Sequence, residues 1–301
     1  MLVKVLLNPY ANRWNARRRW SEAADALHSF GIDFELAASE EPGHLEQLAR
    51  EAVKEGFETL VIAGGDGSIG EVLNGAAADW SPGSPFPVAF GLLPLGSAND
   101  LADNIGLPRD LRAAAGVIAA ARGRAIDLGR CNQRYFLNNS AAGLEPYVTT
   151  KQERITWLKG MPRYLVAAVQ GILDKPEWNA KLEWDDDQRY DGPLSLISVG
   201  NGPRTGGVFY MSPHADPFDG KLTFSHGYRS TRLGLFAALP RAMKRGEGSF
   251  IEMRGMYEMH CTRLRVSLDA PSPVHTDGEL FPEWLKDMEY AVYPSAARIL
   301  M

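Results

Sequence analysis

Leu60-Val61-Ile62-Ala63-Gly64-Gly65-Asp66-Gly67-Ser68-Ile69-Gly70-Glu71-Val72-Leu73-Asn74 is the stretch that decides how this chain is read. It opens as an apolar run rich in β-branched residues, which predicts a buried strand. It then turns through three glycines and continues as a helix. Glycine suits a turn where backbone must approach a ligand closely or take positive φ. Free N–H groups at such a turn, beside a helix start, attract phosphate. Asp66 would repel bare phosphate, so it makes sense with a Mg²⁺ ion between carboxylate and phosphate, directly or through water. The pattern is neither a Walker loop nor a dinucleotide fingerprint. A turn built only for packing has little use for a carboxylate among its glycines.

Outward from that turn, strands are predicted at 2–7, 33–38, 59–63 and 88–93, and helices at 13–30, 43–55 and 113–121. In the second helix Leu45, Leu48, Ala49, Ala52 and Val53 follow the 3.6 period. Such alternation implies a mostly parallel, covered sheet of the α/β class. Asn8 ends the first strand and Ser39 the second. The fourth leads into Pro94-Leu95-Gly96-Ser97-Ala98-Asn99-Asp100, a second turn of glycine followed by polar residues. Two such turns in neighbouring βα units flank one cleft.

Segment 124–129 is extended, and after about residue 127 the pattern changes. Strands are predicted at 134–141, 178–185, 189–200, 207–212, 220–228, 257–269 and 273–276, several of them alternating. Asp185-Asp186-Asp187-Gln188 reads as a hairpin turn. Lone helices interrupt at 162–174 and 230–245. This is a second domain, mainly antiparallel β. The division is 1–127 for a nucleotide-binding α/β domain and 128–282 for a β-rich substrate domain. Segment 283–301, two short extended pieces at its end, is a candidate to return to the first domain.

The totals bound the function. With 301 residues and an apolar share of 45%, the chain can bury a sizeable core. Its charge, 32 basic against 37 acidic residues or −5, argues against a nucleic-acid partner. Cys131 and Cys261 lack metal spacing, and a reduced, cytoplasmic setting is the simpler reading. No apolar run reaches the roughly 20 residues of a membrane span. The helix at 13–30 has a basic first half, read mainly as a solvated face. Segment Arg229 to Arg245 mixes basic and apolar residues in a way that suits an anionic membrane surface as well as a solvated helix. The helix with Leu165, Ala168, Val169, Ile172 and Leu173 has an apolar stripe, with core packing its default.

Four further stretches carry a family resemblance: Asn138-Asn139-Ser140-Ala141-Ala142-Gly143, Gly200-Asn201-Gly202-Pro203 with Gly206-Gly207, Asp216-Pro217-Phe218-Asp219-Gly220-Lys221-Leu222, and His275-Thr276-Asp277-Gly278-Glu279. With Asn8-Pro9 and the two glycine turns, in this order, the chain resembles the diacylglycerol kinase catalytic family. It is most similar to the soluble bacterial lipid kinases, and the likeness spans nearly the whole chain. NAD kinases and phosphofructokinases share the first glycine turn but not the late Asp-Gly-Glu arrangement.

The resemblance implies a phosphofructokinase- or NAD-kinase-like first domain, with ATP in the cleft between the two domains. Asn8, Ser39, Gly64, Gly65, Asp66, Gly67, Ser68, Glu71, Gly96 and Ser97 would line the nucleotide site. Asp66 would act through Mg²⁺. Glu279 matches the proton acceptor, with Asp277 beside it. Asp216, Asp219 and Lys221 match a second, structural Mg²⁺ site, to which Lys221 could give only its carbonyl. The substrate would be a lipid, with transient peripheral contact to a membrane; a homodimer is left open. Placed two apart on a strand, Asp277 and Glu279 would share a face, and crowding would raise one pKa.

Four positions depart from the family. Serine stands for threonine at Ser68 and Ser97, Gly70 replaces an asparagine, and Asn12 stands where a glycine is common. Two alternatives to a lipid kinase remain: a nucleotide- or lipid-binding protein without turnover, and a kinase of a soluble acceptor such as NAD.

Overall fold

The computed structural model of the chain describes residues 2–158 and 160–301. Strands β1 (Val3–Leu7), β2 (Glu35–Ala38), β3 (Thr59–Gly64) and β4 (Ala89–Pro94) alternate with helices α1 (Ala11–Ser29), α2 (His44–Lys54) and α3 (Asp66–Ala76). The strands run parallel in the order β2-β1-β3-β4. A buried parallel strand is apolar on both faces because helices cover each side. Val5, Val61 and Leu93 accordingly join the core under α1, whereas Leu6, Ile62 and Leu92 join the core under α2 and α3.

Helices α4 (Asp100–Asn104) and α5 (Leu111–Ala120) follow, then β5 (Gly123–Cys131), β6 (Arg134–Phe136) and β7 (Asn139–Gly143). Two helices, α6 (Leu144–Arg154) and α7 (Gly160–Asp174), precede β8 (Trp178–Trp184), β9 (Gln188–Leu194), β10 (Leu196–Gly200) and β11 (Leu222–Gly227). Last come α8 (Arg232–Ala242), β12 (Met256–Cys261), β13 (Arg263–Ser272), β14 (Val274–Thr276), β15 (Glu279–Leu280) and β16 (Leu285–Leu300). Strands β12-β11-β10-β7-β14-β15 form an antiparallel sheet. It packs against β8 and β13 through Leu182, Val266, Val199 and Phe224.

The alternation in β8 is strict: Trp178, Ala180, Leu182 and Trp184 are buried, with exposed residues between them. That is the signature of a half-covered antiparallel strand.

The ending differs from expectation. In place of two short pieces there is one strand, β16, of 16 residues. It pairs antiparallel with β13 and β5, then parallel with β4 at Arg298 and Ile299. A single sheet of ten strands therefore runs from the α/β half into the antiparallel half. The register shifts between Tyr293 and Ala297, where Pro294 and Ser295 interrupt the alternation that would have betrayed a long strand.

Three further differences are local. Segment 207–212 is not a strand but holds an isolated bridge between Thr205 and Phe209, because Gly206 and Gly207 take φ of 62° and 83°. Helix α6 has no sharp apolar stripe and went unpredicted. Asn12, Arg13 and Trp14 have left-handed φ of 50°, 53° and 71°, so the first turn of α1 is irregular. A glycine would adopt φ 50° at position 12 without cost, and asparagine is among the few side chains that tolerate it. Among the described residues no helix is long and apolar enough to cross a membrane.

Helices α2 and α3 pack so closely that a methyl on Gly75 would overlap the main-chain carbonyl of Glu46. Gly75→Ala should cost about 2 kcal/mol through overpacking, read as a lower denaturation midpoint in urea with the fold retained by circular dichroism.

Candidate active site

The C-terminal ends of β1, β3 and β4 lie side by side, and each ends in a turn. At β3, Gly65 precedes α3, whose first residue is Asp66. At β4, Gly96 packs on Gly65 so closely that a methyl on Gly96 would overlap the Gly65 Cα. The two glycine turns thus form one surface of bare backbone at the N-terminus of α3, where N–H groups and the helix dipole favour an anion. Asn8 Nδ2 donates to Ser68 Oγ at 3.0 Å, and its Oδ1 accepts from Tyr10 N. Ser97 Oγ donates to Asn12 Oδ1 at 3.0 Å.

The opposite wall comes from the antiparallel half. Strands β14 and β15 are joined by Asp277-Gly278, with φ of 47° and 85°, a two-residue turn of the mirror-image type. The Asp277 carboxylate is buried and accepts from three main-chain groups, Leu137 N, Asn138 N and Asn139 N, at 2.9 to 3.0 Å. The hairpin is thereby fixed against the segment between β6 and β7. One residue beyond the turn, the Glu279 carboxylate lies against Gly67, so near that a methyl there would overlap it.

The hairpin corrects one expectation. Asp277 and Glu279 do not lie on one strand face, because Asp277 takes a turn conformation and its carboxylate is spent on backbone. Gly70, in place of the family's asparagine, faces this hairpin: a Cβ there would stand 3.5 Å from Asp277 Cβ.

Between the walls is a cleft of about 960 Å³, lined by Asp66, Gly67, Ser97, Asp100, Asp277 and Glu279 among others. Asn8, Gly64, Gly65, Ser68 and Gly96 shape the turns next to it. Ser39 is buried at the end of β2, its N–H donating to Leu7 O. Glu71 sits back from the cleft, where Oε2 accepts from Leu45 N at 3.1 Å and caps α2. Asp216 and Asp219 lie in the loop before β11, each bonded to backbone two residues on, and Lys221 follows. Asp127 ties that loop down, accepting from Gly220 N and Ser295 N, both at 2.6 Å. None of these loop residues lines the cleft. Among the described residues no group of three or more His, Cys, Asp or Glu could alone hold a metal.

Sequence reasoning missed several cleft residues. Asp100 accepts from Gly207 N and pairs with Arg204 Nε at 3.1 Å, linking the second glycine turn to the antiparallel half. Arg204 also pairs with Asp103. His275 Nε2 is 3.2 Å from Glu145 Oε1; His275 is buried and Glu145 partly so. Glu145 Oε2 and His275 Nδ1 have no hydrogen-bond partner. Asp100 was signalled by its place just after a Gly-Ser turn. Glu145 had no local signal.

The cleft is electrostatically unbalanced. Burial, then the charge of Asp100, pushes Asp66 up to about 7. Burial also raises Asp100, against the pull of Arg204. Asp277 rises to about 6, because burial outweighs its three N–H donors. Glu279 is held above the usual carboxylate range by desolvation between the walls, with Arg134 opposing. Carboxylates so placed call for a cation. Asp66 suits Mg²⁺, a hard ion that takes one or two protein carboxylates and completes its shell with phosphate and water oxygens.

Beside the cleft lies a narrow apolar cavity of about 70 Å³, walled by α6, α7 and α8 through Val148, Ala168, Ile172, Leu235 and Ala238. Glu145 and Tyr164 line both spaces.

Fold and cleft together define a class: proteins that set two glycine turns at a parallel sheet edge and bring a carboxylate against them from an antiparallel half. Residues 2–131 match the Diacylglycerol kinase catalytic domain, and residues 139–301 match the YegS C-terminal NAD kinase beta sandwich-like domain. A protein named "Diacylglycerol kinase" from Staphylococcus carnosus is 26% identical over 278 residues, 92% of this chain and 88% of its own. A "Probable lipid kinase YegS-like" from Klebsiella pneumoniae is 32% identical over 203 residues, covering 67% of this chain and 66% of that one. A crystal structure of a diacylglycerol kinase from Bacillus anthracis has the same fold, with a TM-score of 0.78 at 20% identity over 99% of this chain and 96% of that one. The chain belongs to the diacylglycerol kinase catalytic family, a family of lipid kinases, and carries the YegS-type C-terminal domain.

The folded pKa of Asp66 lies above its unfolded value near 3.8. Between about 4 and about 7 the folded state therefore keeps a proton that the unfolded chain has released, and the stability this gives is lost as pH rises through that window. Asp66→Asn mimics the protonated group at every pH. The gap in melting temperature should move in favour of the variant as pH rises from about 4 to about 7 and level off above that, measured by differential scanning fluorimetry without nucleotide.

Proposed function

We propose that the protein is an ATP- and Mg²⁺-dependent kinase that phosphorylates a hydroxyl of diacylglycerol or a related lipid. The observation that carries this reading is the Glu279 carboxylate lying against Gly67, at the N-terminus of α3 and next to Asp66. A base and a phosphate cradle must meet at one point for phosphate to pass to a hydroxyl.

In this reading the triphosphate rests on the backbone of Gly65 to Ser68 and Gly96 to Ser97, and Asn8 holds the Ser68 hydroxyl in place. Asp66 would hold Mg²⁺, which supplies neutralisation of phosphate charge when bound. Glu279 takes the proton of the lipid hydroxyl as that oxygen attacks the terminal phosphorus of ATP and the bond from phosphorus to ADP breaks, and its raised pKa suits a general base. Asp277 positions that base by anchoring the hairpin to Leu137, Asn138 and Asn139. Loop 216–221, gripped by Asp127, is the proposed second cation site: Asp219 and the Lys221 carbonyl would supply oxygen ligands, with Asp216. The chain divides for this purpose into residues 1–127 for nucleotide and 128–282 for lipid, with the last strand serving both.

The apolar cavity between α6, α7 and α8 supports a lipid acceptor over a soluble one. An acyl chain would enter it past Tyr164, while the free Glu145 Oε2 at the neck would accept a hydrogen bond from the head group. A soluble acceptor would have no use for this cavity.

Purified protein with ATP, Mg²⁺ and a mixed lipid extract should yield a phosphorylated lipid by mass spectrometry. Glu279→Gln should lose at least ~100-fold in rate, as for a working general base. Transfer as fast as wild type would remove Glu279 from the role, and robust transfer to a soluble hydroxyl without lipid would overturn the acceptor class. Ala168→Phe, which fills the apolar cavity, should raise KM for long-chain acceptors and leave short-chain ones nearly unaffected.

A further inference from the structure

Helix α7 turns one apolar row inward to the cavity and a second row outward. Leu165, Val169 and Leu173, four residues apart, share that outer line and are 39%, 40% and 52% exposed. Arg232 Nε donates to Leu173 O at 2.8 Å, which sets the start of α8 beside the end of α7. There Leu233, the next residue, is 81% exposed. Large apolar side chains exposed together in this way mark a surface that meets a partner or a membrane.

The charge around these side chains is one-sided. Segment 229–245 carries five basic residues, Arg229, Arg232, Arg241, Lys244 and Arg245, and no acidic one, in a chain of net charge −5. The side-chain bonds of Arg229, Arg232 and Arg245 run to main-chain carbonyls, not to carboxylates. The nearest acids toward Arg232, Asp174 and Glu177, are already paired with Lys151 and Lys175. Arg241 and Lys244 lie on the exposed face of the α8 segment.

We propose that the outer face of α7 and α8 is the surface by which this protein docks on an anionic lipid bilayer. The apolar row would enter the acyl boundary while the basic residues meet lipid phosphates. A second copy of the chain fits this face poorly, because a two-fold contact would bring the cations of one copy, Arg241 and Lys244 among them, against those of the other. The surface deepens the lipid-kinase reading: the inner faces of these two helices wall the apolar cavity, so one layer of helix separates bilayer from acceptor pocket.

Docking is measured without ATP, by sedimenting the full chain with vesicles of phosphatidylglycerol and phosphatidylcholine or of phosphatidylcholine alone. Binding to the anionic vesicles only, weakening as salt is added, is expected. The pair Leu173→Ser with Leu233→Ser should abolish it. Arg241→Glu with Lys244→Glu should weaken it by tenfold or more, since each surface cation is worth about fivefold. All four positions are exposed, so unchanged melting temperatures are expected. Equal binding by wild type and variants, equal binding to neutral vesicles, or a wild-type dimer that the leucine pair dissociates would overturn the proposal. The two readings fail separately. Vesicle binding without phosphate transfer to any lipid would sink the kinase and leave the surface. Transfer to detergent-dispersed lipid without vesicle binding would sink the surface and leave the kinase.

Discussion

One buried carboxylate sets the geometry of the cleft. Asp277 gathers three consecutive main-chain N–H groups, from Leu137 to Asn139, in a site closed to water. Leaving those donors unpaired would cost more than the desolvation of a single acid repays, so the hairpin has little freedom to drift. Its neighbour Glu279 inherits that rigidity and rests on Gly67. A flexible glutamate carries a large side-chain entropy cost of ordering, and here the fixed backbone beneath it removes part of the search.

The same economy appears in the facing wall. Asp66 Oδ1 accepts from Leu101 N, so the first residue of α3 also holds the start of α4. Asp100, beside it, reaches Arg204 and Gly207 from the other half. These contacts draw acidic groups together in a buried place, and Asp66 is raised first by burial and then by the charge of Asp100.

Much of this was legible in residue order alone. The β-branched runs gave the parallel strands, the two glycine turns gave the cleft edge, and the late Asp-Gly-Glu pointed to the facing wall. What escaped had physical causes. Glu71 caps a helix that begins 27 positions upstream, at His44, and no local pattern encodes that reach. Asp277 reads the same in sequence whether it faces solvent or three amides. Arg204, Glu145 and His275 matter through partners about 100 residues or more away. The last strand was hidden by Pro294 and Ser295, which break the alternation in its middle.

That strand has a mechanical consequence. Because β16 is hydrogen-bonded into both halves, they cannot swing apart on a loose linker as independently tethered lobes do. Any relative rotation must flex the strand at its register shift, where the Ser295 N–H is clamped by Asp127. Asp127 also clamps Gly220, so the 216–221 loop rides on the same pivot. An ion captured in that loop would stiffen the joint from a distance, without touching either reactant.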